Sequence, residues 1–206
     1  MRLIAKSTLM GAVALSLVAG GVIAQSAFTE EPAEVRAGSY TLDSAHGKIT
    51  YKIDHLGFST YVGQFAGVEA ALTLDPANPS ASTLTATVPV AGHDNTSEGL
   101  KNHLQSTDFF DAARFPTITF VATSITVDRD DPSEAEVVGN LTIKDVTRPV
   151  TLEVEFNQAG EMRGQYRVGF DGETTIKRSD FGMTYGLPAL GDEVELHIEG
   201  EFVAVQ

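Results

Sequence analysis

The chain has 206 residues, carries a formal charge of −14 at pH 7 and contains no cysteine. Its acidity repels nucleic acid and anionic membrane surfaces, so neither is expected as a partner by electrostatic capture. Without cysteine there are no disulfides, no thiolate catalysis and no Cys-ligated metal, and the length suits a single domain.

The N-terminus reads as an export signal. Arg2 and Lys6 form a positive start, and no charged residue follows from Ser7 to Ala24. The apolar stretch closes in Gly20-Gly21-Val22-Ile23-Ala24, which places cleavage after Ala24 and assigns residues 1–24 to a signal peptide. Its Gly, Ala and Ser content makes it a poor bilayer anchor, so no stable membrane insertion is expected after cleavage. The next stretch, 25–38, is rich in Ala, Glu and Ser and has no period; it is expected to be a disordered leader, with the folded domain spanning 39–206.

From Tyr40 onward the dominant period is two, the pattern of half-buried strands. Ile49, Tyr51 and Ile53 alternate with Thr50, Lys52 and Asp54; Leu84, Ala86, Val88 and Val90 with Thr83, Thr85 and Thr87. Val150, Leu152, Val154 and Phe156 repeat the pattern, as do Val194, Leu196 and Ile198. Turn chemistry divides these runs at Asp75-Pro76, Asp128 to Pro132, Lys144-Asp145, Asn157 to Gly160 and Leu187 to Asp192. Short connections imply antiparallel pairing. One segment, Ser97 to Asp111, breaks the period with Leu100, His103 and Leu104 at helical spacing, and a second helical turn is expected around Arg178 to Gly182. Long strands leave exposed edges unless the sheet closes, so the pattern points to an all-β fold, an antiparallel barrel of about eight strands with one or two short helices, with a two-sheet sandwich as the structural rival that the family resemblance below resolves in favour of an eight-stranded barrel.

Catalytic and metal motifs are sparse. The five histidines show no metal-ligand spacing, the acidic run around Asp128 reads as a solvated hairpin tip, and no phosphate-binding glycine loop occurs. His55 continues the Ile49, Tyr51, Ile53 side of its strand. That makes it the one candidate acid or base, provided a second group orients the imidazole; with the family resemblance below, the corresponding alternative is an enzyme acting on a lipid or quinone. Phe58, Phe65, Phe109, Phe110, Phe115, Phe120, Phe170 and Phe181 supply most of the bulky apolar volume and are expected in the core. In 117–128, Ile118, Phe120 and Ala122 oppose Val121, Ile125 and Val127, a two-sidedness that provides side chains for both a core and a cavity.

Several short motifs share their order with one family. They are Tyr40-Thr41-Leu42-Asp43 with His46, Tyr51 to Gly57, Gly63-Gln64-Phe65, His103 to Asp111, Phe115 to Phe120, Gly139 to Ile143, Val146 to Val150 and Arg178 to Gly182. Over about Tyr40 to Val205 the chain resembles the YceI-like family of exported, lipocalin-like polyisoprenoid-binding proteins. The resemblance implies a barrel without catalytic residues that holds a polyisoprenoid or isoprenoid-quinone-type lipid in an apolar channel, with no covalent cofactor. Two departures stand out: Lys101-Asn102 replaces an Arg-Asp pair, and Asp145 replaces a usual glycine, a substitution the hairpin should survive.

The lining is expected from Ile49, Tyr51, Ile53, His55, Phe65, Leu72, Leu84, Ala86, Val88, Phe120, Leu141, Ile143, Phe170, Phe181 and Met183. Together with the export signal, the resemblance implies a periplasmic carrier for such a lipid. The sequence leaves monomer and homodimer open, and a third reading makes the chain an accessory module serving a membrane cytochrome. If the export reading holds, protein isolated from its native host begins at Gln25 on N-terminal sequencing; recovery of an intact Met1 contradicts it.

Overall fold

The computed structural model describes residues 28–94 and 97–205, so the signal peptide read at 1–24 lies outside the described residues. The strands are β1 (Phe28–Thr29), β2 (Gly38–Leu42), β3 (Lys48–His55), β4 (Ser59–Phe65), β5 (Glu69–Leu74), β6 (Thr83–Pro89) and β7 (His93–Asp94). After helix α1 (Glu98–Gln105) come β8 (Thr117–Val127), β9 (Glu134–Ile143), β10 (Val146–Met162), β11 (Gln165–Lys177) and β12 (Leu190–Ala204). Every pairing is antiparallel, and β12 closes the ring: it pairs with β11 on one side and with β2 and β3 on the other.

The result is a closed barrel of eight strand positions. Three of these are interrupted, with β2 and β3, β4 and β5, and β6 and β7 each sharing a position. The breaks adjoin one another. Gly67 takes a left-handed φ of 72° between β4 and β5, and the Ala66 N–H donates to the Gly92 carbonyl at 3.0 Å across the neighbouring break. The chain therefore bends sharply between β4 and β5.

Two further features differ from the sequence reading. A bulge between Ala122 and Ser124 switches the inward parity of β8, so Ile125 and Val127 face the same interior as Ile118 and Phe120 while Val121 is exposed. The apparent two-sidedness was this bulge. A second bulge, between Phe156 and Gln158, lets β10 continue where a turn was expected; the turn falls instead at Arg163-Gly164, both left-handed. The Lys144-Asp145 hairpin is retained, with Lys144 rather than Asp145 in the left-handed conformation.

The expected disordered leader is also corrected. From Phe28 the chain joins the fold: β1 pairs with the end of β10, Pro32–Glu34 forms a 3-10 turn, and Val35 is buried with Tyr40, Leu72, Phe156 and Val168. The Tyr40 hydroxyl donates to the Arg36 carbonyl at 2.5 Å, and the Arg36 guanidinium lies 4.2 Å over the Tyr166 ring. A low-period sequence conceals this because a single buried side chain and a few pinning contacts suffice to hold it. Helix α1 lies within the segment expected to be helical, with Ser97 capping it through a hydrogen bond from the Leu100 N–H.

Outside the barrel, Asp43 organises the turn after β2. Its carboxylate accepts from the Arg167 guanidinium at 2.9 Å and from the Ala45 N–H at 3.1 Å, with His46 Nδ1 at 3.0 Å. The Arg167 hydrogen bond, followed by those of His46 and Ala45, holds this carboxyl at about 2 against an ordinary 3.8. A depressed carboxyl contributes stability above its ordinary value and loses it as pH falls through the folded one. Thermal unfolding should therefore lose stability between about pH 4 and pH 2, and Asp43→Asn should flatten that slope. Within the barrel, a Cβ at Gly139 would overlap the Phe120 ring and approach the Val121 carbonyl oxygen at 2.8 Å. Gly139→Val is expected to cost about 1–3 kcal/mol in urea denaturation, the usual range for overpacking.

Candidate functional site

The barrel interior is a cavity of about 1290 Å³, above the roughly 300–1,000 Å³ typical of small-molecule pockets. Its walls are overwhelmingly apolar because alternate residues of every long strand point inward. It runs from the end capped by α1, Tyr185 and the β3–β4 turn to the end packed against Pro32, Val35 and Phe156.

Each residue expected to line this space does so, except Phe181. Ile49, Tyr51, Ile53 and His55 contribute from β3, Phe65 from β4, Leu72 from β5, and Leu84, Ala86 and Val88 from β6. Phe120, Leu141, Ile143, Phe170 and Met183 complete the set. Phe181 is buried in the wall itself. It lies in the 3-10 turn Arg178–Phe181, where strand alternation does not apply, and left-handed Gly182 re-aims the chain so that Met183 reaches the cavity.

Two of the clearest alternating runs also line the cavity and were missed as lining: Leu152 and Val154 on β10, and Leu196 and Ile198 on β12. The period-two signal that marked them as strands was sufficient to place them. The α1 contribution had no such signal. Leu100, His103 and Leu104 face the cavity only because the helix lies across one barrel end, whereas Lys101 and Asn102, the departure from the family pattern, lie off the lining. His103 stands edge-on to Phe109 and Tyr185, at 5.0 and 4.8 Å between ring centres, and its Nε2 lies 3.0 Å from the Asp108 carboxylate.

One buried Arg frames the same end. The Arg178 Nε donates to the Gly191 carbonyl, and its terminal nitrogens donate to those of Met183, Tyr185 and Leu190, all at 2.7–3.0 Å. Burial pulls this guanidinium below its ordinary value, and nearby Asp192 partly opposes that. Asp192 in turn accepts from the Ser179 N–H and hydroxyl. The Arg178-Ser179 part of the motif is thus a clamp on the 182–191 loop.

Charged side chains border the cavity at Lys48, Asp75, Asp171 and Glu199, and one polar pair is built into the wall. The Tyr51 hydroxyl is hydrogen-bonded to Nε2 of buried His93 at 2.5 Å, beside Phe65 and Tyr61. Burial pushes the Tyr51 phenol up and the His93 imidazole down, so both are neutral at physiological pH. Sequence reasoning passed over His93 because it has no ligand-like spacing; its partner is distant in the chain. His55, by contrast, sits exposed on the rim, and among the described residues no side chain hydrogen-bonds its imidazole. Phe58 departs from the core expectation too, at 89% exposed. Among the described residues, no group of three or more His, Asp or Glu side chains is placed to hold a metal ion, and no helix is long and apolar enough to cross a membrane.

Comparison with known proteins agrees with this architecture. The family model described as the YceI-like domain matches residues 40–202. The chain belongs to the YceI-like family. It is 36% identical over 170 residues to Protein YceI of Salmonella arizonae, covering 81% of this chain and 87% of that protein. The crystal structure of Burkholderia cenocepacia BcnA superposes with a TM-score of 0.69 at 28% identity, covering 80% of this chain and 99% of that one. A domain of Saccharophagus degradans described as polyisoprenoid binding and implicated in plant cell wall breakdown shares the fold at a TM-score of 0.63 and 10% identity, covering 82% and 100%.

The family motifs fall on the places just described: Asp43 and His46 in a turn, Tyr51 in the wall, His103 at the helical end, Arg178 in the clamp. Tyr51→Phe should remove the hydrogen bond to His93 and destabilise the barrel by about 1–3 kcal/mol, measured by urea denaturation. An unchanged midpoint contradicts the role given to this pair.

Proposed function

We propose that the protein is a periplasmic carrier or reservoir that holds a polyisoprenoid or isoprenoid-quinone-type lipid inside the barrel. The observation that carries this reading is the continuous, mostly apolar cavity of about 1290 Å³, lined from nearly every strand. Such walls favour chains of methylene and methyl groups, at about 0.8 kcal/mol per buried CH₂ before ordering costs, so a prenyl tail binds without a charged anchor. The polyisoprenoid-binding description of the Saccharophagus domain, which shares the fold, points the same way. The export signal in 1–24 supplies the compartment.

His55 lacks the orienting partner that acid–base chemistry requires, which favours binding over turnover.

Organic extraction of protein purified from its native host, followed by mass spectrometry, should return a prenyl lipid near one equivalent. Repeated recovery of none contradicts the proposal. Gly172 provides a control: a Cβ there meets Ile198 at 3.6 Å, ordinary contact, and the position lines the cavity. Gly172→Phe should therefore fold and lose most of its lipid by occupying the space itself.

A further inference from the structure

We infer that the β3–β4 hairpin tip is a membrane-docking wedge, which brings the cavity mouth against the hydrocarbon of a lipid bilayer. The inference rests on the carrier reading and adds the surface from which cargo is exchanged.

Among the described residues, only two of the large exposed apolar side chains also line the cavity: Leu56, 47% exposed, and Tyr185, 50% exposed. Both lie at the α1 end. Phe58, the most exposed large apolar residue of the barrel, stands two positions from Leu56 on the same turn. The apolar surface of the interior thus continues through the mouth onto the outside.

The tip is held rigidly rather than left loose. Leu56 and Gly57 both take left-handed backbone, with φ of 61° and 71°, and the Phe58 N–H donates to the His55 carbonyl at 3.1 Å. Two positive φ values make this the tight hairpin turn that ordinarily takes Asn-Gly or Asp-Gly. A leucine there is disfavoured in backbone and in solvation alike. The Asp54 carboxylate fixes the base by accepting from the Gly57 N–H at 3.0 Å, and Gly191 packs directly on Asp54.

The chemistry selects the partner. A two-residue apolar tip falls far short of the about 1,000 Å² that a stable protein interface buries, but it suits shallow insertion at the headgroup boundary. With a formal charge of −14 the chain gains nothing from anionic lipid. Docking is therefore apolar and insensitive to salt. A cargo with a prenyl tail would then pass from bilayer to cavity along Leu56 and Tyr185 without crossing water.

The chain contains no tryptophan, so Phe58→Trp supplies a single reporter. In the full mature chain its emission should shift to the blue on adding neutral phosphatidylcholine vesicles, equally at low and high salt. Phe58→Ser, which lies off the cavity lining, should slow extraction of dansyl-labelled polyprenol from those vesicles about tenfold, the scale of losing one large apolar side chain's burial. Its thermal midpoint and its lipid content on purification should match the parent. Unshifted Phe58→Trp emission together with parental extraction by Phe58→Ser overturns the inference. So does transfer that fails only toward a protein acceptor, which would assign the tip to a protein. Failure of the carrier reading is separate: it shows as absence of extractable lipid, whereas insertion of the tryptophan is read with or without cargo.

Discussion

Closure through β12 is the constraint on which the rest of the molecule depends. By pairing with β11 on one side and with both β2 and β3 on the other, this strand turns an open sheet into a barrel with no free edge along its length. Eight strand positions enclose an interior that side chains can fill or that can hold one small ligand, and here the three broken positions and two bulges adjust the wall without reopening it. The cavity thus depends on closure together with inward residues, Gly172 among them, that leave the space open.

An interior of this kind links stability to occupancy. Apolar walls left in contact with water through the mouth forgo about 25 cal/mol for each Å² that an occupant would bury. The walls are therefore suited to an apolar occupant, and cargo that binds only the folded state stabilises it by mass action. Rigidity elsewhere compensates for the missing packed centre. Arg178 gathers four backbone carbonyls at the α1 end, Val35 and Tyr40 seal the opposite end, and Asp43 with Arg167 ties β2 to β11 outside.

Much of this was legible in the sequence, because alternation is a direct image of the pleat. The strands and the hairpin at Lys144-Asp145 follow from period two and turn chemistry, and every expected lining residue but Phe181 falls on the cavity wall, although the rows at Leu152, Val154, Leu196 and Ile198 and the helical residues were missed. Parity could not be followed through irregular backbone. At Ala122 to Ser124 a bulge put two seemingly opposed apolar rows on one face, and at Arg178–Phe181 a 3-10 turn buried Phe181 in the wall. The ordering of the chain from Phe28 and the Tyr51–His93 pair were hidden for a different reason. Each depends on a contact between segments far apart in the chain, and no local pattern records such a contact.

The most direct test of the central claim is a crystal structure of the protein purified from its native host without delipidation. Continuous electron density for a chain running from Leu56 and Tyr185, past Ile198, toward Phe156 is the predicted result. A cavity filled with ordered water, or walls collapsed onto one another, would contradict it.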